Sequence, residues 1–138
     1  MSTEQNKTLV RRWWDDFNAH HLDFETFIHP EMLNHAVPPQ RQRGFDHFKA
    51  TITDGLASVP DQHWTIDDLV AEEDKVVCYM TWSGTLQSGY HVVVPTQRHF
   101  SIHHVHTFRV TDGKFSEHWA IRAVRSLPQR KLKAIHEK

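Results

Sequence analysis

Residues 98–124, RHFSIHHVHTFRVTDGKFSEHWAIRAV, decide the fold of this 138-residue chain. Asp112-Gly113 signals a hairpin, because a type I′ turn needs positive φ at both central residues, and Asp and Gly tolerate that best. With Thr111 set opposite Lys114, counting outward places His106 opposite Trp119, His104 opposite Ile121 and Ile102 opposite Ala123. Successive side chains alternate across a strand. One face therefore carries Phe100, Ile102, His104, His106, Phe108, Val110, Phe115, Trp119 and Ile121, with Glu117 inward by the same parity. The other carries Ser101, His103, Thr107, Arg109, Ser116, His118 and Arg122. An apolar wall with a few convergent polar groups is the usual composition of a small-molecule pocket.

Upstream of the hairpin the pattern changes period. Ser2 and Gln5 form a capping box for a first helix. Leu9, Val10, Trp13, Trp14, Phe17 and His21 recur at helical spacing and form a broad apolar stripe. Asp23 opens a short helix, Phe24 to Ile28, which His29-Pro30 ends, since the residue before proline leaves the helical region. Residues 34–43, NHAVPPQRQR, read as an irregular loop. A second long helix, Phe45 to Val59, buries Phe45, Phe48, Ile52 and Leu56 and stops at Pro60. From His63 the chain is β: 63–72, a turn at Glu73-Asp74, then 75–86, rich in β-branched and aromatic residues. A loop over 87–97 leads into the hairpin, and the tail over 126–138 reads as a short helix or as disordered. Helices first and a four-strand antiparallel meander afterwards define an α+β domain.

Composition narrows the function classes. A single domain fits this length. A net charge of −1 argues against nucleic-acid or anionic-membrane partners. No apolar run reaches the roughly 20 residues that cross a bilayer, and the first residues lack the apolar core of a signal peptide. One cysteine, Cys78, excludes a disulfide framework and implies a reducing cytoplasm. Cys78 itself reads as a small apolar filler. The unusual count is histidine, at 13.

The order of these pieces resembles a known family. His29-Pro30 and His35 are followed by Gly44 with Phe48, Pro60-Asp61, and Ala71-Glu72-Glu73-Asp74-Lys75-Val76. Gly84-Thr85, Pro95-Thr96 with Arg98, Arg109 with Asp112-Gly113-Lys114, and Glu117-His118-Trp119 complete the series. Over residues 6–127 the chain resembles the SnoaL-like polyketide cyclases (ester cyclases) of the nuclear transport factor 2-like superfamily. The resemblance implies a cone-shaped fold, with three N-terminal helices packed into a strongly curved sheet around a pocket. It implies a homodimer paired through the sheets. It also implies ring closure by intramolecular aldol condensation, with no metal or cofactor and one buried Asp as general acid/base. That Asp position matches Ala123 here, a family His matches Leu86, and a family Gly matches Gln97.

With Ala123 unable to carry a proton, the residues themselves suggest other bases. His104 is the diagonal neighbour of Ala123 in the counted register, and diagonal pairs lie about 7–8 Å apart. His104, His106 one strand step away, and His35 from the loop are the expected catalytic residues. One would remove a proton α to a carbonyl while a protonated neighbour stabilises the enolate. The alternative is a hydrogen-bonded polar patch in the interior. Expected pocket-lining residues are Trp13, Trp14, Phe17, Phe48, Trp82, Phe100, Ile102, Trp119, Ile121 and Ala123. His104-x-His106 also has a spacing that divalent metals use, with Glu117 or His35 as a third ligand; the expectation adopted is no metal. Two further readings stay open: a small-molecule-binding protein without chemistry, and a hydroxylase-type relative.

Overall fold

The structure, a computed structural model, describes residues 1–85 and 99–122. Its element order is α1 (Thr3–Asn18), α2 (Phe24–Phe27), β1 (Ile28–Asn34), α3 (Phe45–Ser58), β2 (His63–Glu72), β3 (Lys75–Thr85), β4 (His99–Thr111) and β5 (Lys114–Arg122). The capping box at the start of α1 is formed: the Gln5 N–H donates to Ser2 Oγ at 3.1 Å, and the Ser2 N–H donates to Gln5 Oε1 at 2.8 Å. The five strands make one sheet in the order β1-β5-β4-β3-β2.

The sheet is mixed rather than the four-strand antiparallel meander expected, because Ile28–Asn34 adds a strand parallel to β5. The sequence pattern ends a helix at Ile28 and places no strand here, and a proline, which cannot donate to a ladder, is uncommon inside one. Proline is tolerated here because β1 is an edge strand whose register breaks between Ile28 and Leu33. Within the expected 34–43 loop, Pro39–Arg41 forms a single 3₁₀ turn.

The aromatic stripe of α1 fills the space over the sheet. Trp13, fully buried, meets Trp14, Phe17, Phe24, Phe27, Phe48, Phe108 and Phe115, with ring centroids 5.6–6.3 Å apart. Mostly edge-on contacts of this kind are favoured by the ring quadrupoles. Trp13 and Phe48, expected to line a pocket, are packed on all sides within this core. Phe17 packs beside them, against Trp14 and Trp64. From α3, Phe48 is buried, while Phe45, Ile52 and Leu56 pack at the core's margin. Cys78 is buried under the same layer, and burial pushes its thiol up to about 12, as suits a filler.

The central hairpin departs from the counted register at one point. Asp112 and Gly113 have φ of 53° and 75°, and Thr111 pairs with Lys114 as expected. The register then shifts, so that Val110 pairs with Phe115 but Arg109 pairs with Glu117. Ser116 is an extra residue on β5, a β-bulge, which reverses the facing of everything beyond it. His118 and Arg122 turn inward, opposite Phe108 and His104. Glu117, Trp119 and Ile121 turn outward, and Ile121 is 72% exposed. Trp119 and Ile121 therefore do not line the interior. Leu86, the loop over 87–97, Ala123 and the tail over 126–138 lie outside the described residues.

Gly84 marks where β3 passes under the end of α3. A Cβ there would come within 2.7 Å of Val59 Cγ1 and 3.2 Å of the Gln62 Cα. Gly84→Ala is expected to destabilise the fold by roughly 1–3 kcal/mol through overpacking. Urea unfolding measures it, and an unchanged midpoint would contradict this packing. Among the described residues no helix is long and apolar enough to cross a membrane.

Candidate active site

Strands β4, β5 and β1 bring one row of polar side chains into the apolar interior. His104 and His106 share the inward face of β4 and are both buried. Their rings stack at 5.5 Å with 9° between planes. Trp64 stands edge-on to both, at 5.0 and 4.8 Å. Trp14 meets His106 at 5.0 Å, and Trp82 meets His104 at 5.2 Å. Phe100 packs on Trp82 at 4.5 Å, and Ile102 pairs across the ladder with Trp82. Gln62 fixes the two indoles: its Oε1 accepts from Trp64 Nε1 at 3.0 Å and Trp82 Nε1 at 3.2 Å. Its amide nitrogen donates to the carbonyls of Gly55 and Val59.

The bulge adds a third imidazole. His118 Nε2 lies 2.9 Å from His106 Nδ1, and His118 Nδ1 lies 2.8 Å from Asn34 Oδ1. Parallel pairing of Asn34 with His118 holds the two elements together. The protons of this chain follow from which atoms can only give and which can only take. The Ala36 backbone N–H can only donate, and it meets the same Asn34 atom at 3.0 Å, so that atom is the carbonyl oxygen. It must accept from His118 as well, so His118 carries its proton on Nδ1. In a neutral ring the His118 Nε2 is then a lone pair, and His106 must donate to it from Nδ1. His106 Nε2 is left as a bare lone pair, buried and without a hydrogen-bond partner among the described residues.

Burial keeps these rings neutral. Desolvation holds His104 at about 3, with Arg122 adding to the effect. It holds His118 at about 3, with His35 and His104 adding. His106, fully enclosed between the other two, is pushed well below the ordinary imidazole range by the same cause. In the resting protein the surroundings thus oppose the expected pair of one neutral and one protonated histidine. The cation of the row is instead Arg122, paired across the ladder with His104. Its guanidinium carbon is 5.9 Å from the Trp82 ring centroid, and among the described residues its buried Nε has no partner, nor has His104 Nδ1.

His35 does not join this row. It stacks on Trp119 at 4.9 Å, and its Nε2 lies 2.7 Å from Glu117 Oε2, on the outer face of β5. Arg109 continues that chain, donating to Glu117 at 2.9 Å and to Asp74 at 2.8 and 3.0 Å. Burial alone would raise the Glu117 carboxyl, but the hydrogen bonds from His35 and Arg109 outweigh it and hold the carboxyl low. Glu117 and His35, one of which a metal at His104-x-His106 would need as a third ligand, therefore lie on the other side of the sheet. Among the described residues no group of three or more His, Cys, Asp or Glu could hold an ion. A shallow groove over Met1, Glu4, Gln5, Thr8, Leu9 and Arg12 shares no residue with the histidine row.

Sequence reading missed His118, Asn34 and Arg122. Strand parity sends His118 and Arg122 outward, and only the bulge reverses them. The sequence pattern places Asn34 in a loop. Trp64 and Gln62 carry no pattern that singles them out.

Helices packed against one mixed five-strand sheet make this an α+β fold of the kind the resemblance implies. The model of the SnoaL-like polyketide cyclases matches residues 8–127, and the chain belongs to that family. Among solved structures, the chain is similar to TsrD from Streptomyces laurentii, at 28% identity and a TM-score of 0.78, covering 94% of this chain and 96% of that one. It is similar to AclR from Streptomyces galilaeus, a candidate hydroxylase, at 26% identity and a TM-score of 0.76, covering 96% and 98%. It is also similar to IdmH from Streptomyces antibioticus, a candidate polyketide cyclase, at 26% identity and a TM-score of 0.74, covering 92% and 99%. No curated protein matches the sequence.

Proposed function

We propose that this chain is a cofactor-independent cyclase or isomerase that removes a proton α to a carbonyl of a small, hydrophobic, polyketide-like compound. The observation that carries the reading is the bare Nε2 lone pair of His106, fixed by His118 and Asn34 and held away from water. An unpaired buried polar atom costs about 1–3 kcal/mol, and a reacting C–H placed against it gives that atom its use. The resemblance puts Ala123 where relatives keep an acid/base Asp, and a methyl group cannot transfer a proton.

In the first step the α C–H bond breaks, its proton passes to His106 Nε2, and the electron pair moves onto the carbonyl oxygen as an enolate. For a cyclase, the enolate carbon then bonds to a second carbonyl carbon of the same molecule. The resulting alkoxide takes the proton back from His106. For an isomerase, the proton returns to a different carbon. His104, neutral, can donate one N–H to the enolate oxygen. Similarity to a candidate polyketide cyclase and the family membership support this class of substrate.

The test is proton exchange into a planar aromatic ketone. With 2-tetralone in D2O, followed by proton NMR, the protein accelerates loss of the α-proton signal over buffer. Binding of the ketone without any acceleration would instead assign the chain as a small-molecule carrier.

A further inference from the structure

We infer that Arg122 makes the interior site selective for compounds bearing an anionic oxygen group on a flat aromatic body, a carboxylate or an ionised enol, over their neutral esters. The inference rests on the proposed function above and names its substrate class. Arg122 reaches the interior only because of the Ser116 bulge, which turns it inward opposite His104. It is partly buried, its guanidinium lies over Trp82, and its Nε is enclosed without a hydrogen-bond partner among the described residues. An enclosed guanidinium N–H in such a place calls for an acceptor with negative charge. The protein's interior offers none among the described residues: the buried polar side chains are Asn6, Asn34, Gln62, His104, His106 and His118. Residues 86–98, LQSGYHVVVPTQR, contain no Asp or Glu, and beyond Arg122 the only acidic residue is Glu137.

The neighbours select the rest of the ligand. Trp64 and Trp82 stack nearly parallel, 5.5 Å apart and 14° between planes, beside the same cation. Aromatic rings under a guanidinium suit a planar, conjugated acid better than an aliphatic one. The position also fits the chemistry. An enolate formed at His106 would carry its charge in the row that Arg122 joins, so one residue would hold a substrate's acidic oxygen or the developing one.

The experiment compares 2-naphthoate with methyl 2-naphthoate, using isothermal titration calorimetry and tryptophan fluorescence on the full chain. The acid is expected to bind at least tenfold more tightly than the ester. Arg122→Gln should weaken the acid at least tenfold and leave the ester unchanged, and Arg122→Lys should restore part of the loss. Circular dichroism melting of each variant separates lost folding from lost binding. No detectable binding of the acid, equal binding of the ester, or full acid affinity in folded Arg122→Gln would each overturn the inference. Arg122-dependent acid binding by a protein that does not exchange 2-tetralone would keep this inference and remove the acid/base reading.

Discussion

Replacing His106 by asparagine is expected to lower the protein-accelerated α-deuteration of 2-tetralone by about 10²–10⁴-fold, the usual contribution of a positioned general base. Asparagine is chosen because its amide nitrogen can sit where Nδ1 does and still donate to His118 Nε2. The relay to Asn34 then survives, and only the basic atom is lost. The substitution leaves space beside Trp14 and Trp64, so a melting curve must accompany the rate. A folded His106→Asn protein with an unchanged exchange rate would remove His106 as the base. His35→Ala should leave the rate close to wild type, because that ring lies on the outer face of β5 against Trp119.

The second large effect is on acid stability. Three imidazoles are buried neutral, and each has a folded-state pKa below the unfolded value of about 6.5. Between those values the unfolded chain binds up to three more protons than the folded one, so stability falls as pH falls. Above pH about 6.5 the contribution is fully present. It is lost progressively from there down toward about 3, where His104 and His118 would charge in the folded state. Three protons give a slope approaching about 4 kcal/mol per pH unit, against a total stability of typically 5–15 kcal/mol. Cooperative acid unfolding is therefore expected within a narrow range below pH 6. Urea unfolding midpoints taken at half-unit steps from pH 7.5 to 4.5 check it. His104→Phe and His118→Phe should each flatten the curve, and a curve flat across that range in the parent protein would contradict neutral burial.

Much of the fold was legible because its signals are local. The capping box, the aromatic stripe of α1, Pro60 after α3 and Asp112-Gly113 each act over a few residues, and each stands where the sequence placed it. The parallel edge strand was not legible, because its pairing partner is more than eighty residues away and Pro30 reads against a strand. The inward direction of His104 and His106 followed from alternation along β4 and is borne out by their burial. Alternation failed on β5, where Ser116 is inserted. An apolar count favours Trp119 and Ile121 inside, and no local residue preference announces the bulge. The carboxylate that unbroken parity put into an apolar wall, Glu117, was the one sign of trouble. Since the bulge delivers both His118 and Arg122, the half of the site that lies on β5 was hidden with it.

Asn34 sets one tautomer along the chain to His106 and leaves its Nε2 bare. Long-range 1H–15N correlation of the imidazole nitrogens tests this most directly, with His106 and His118 assigned by single substitution. Both rings are expected to carry their proton on Nδ1 at pH 7.5 and to remain neutral down to the onset of acid unfolding. A proton on His106 Nε2, or titration of either ring near 6.5 in the folded protein, would contradict it.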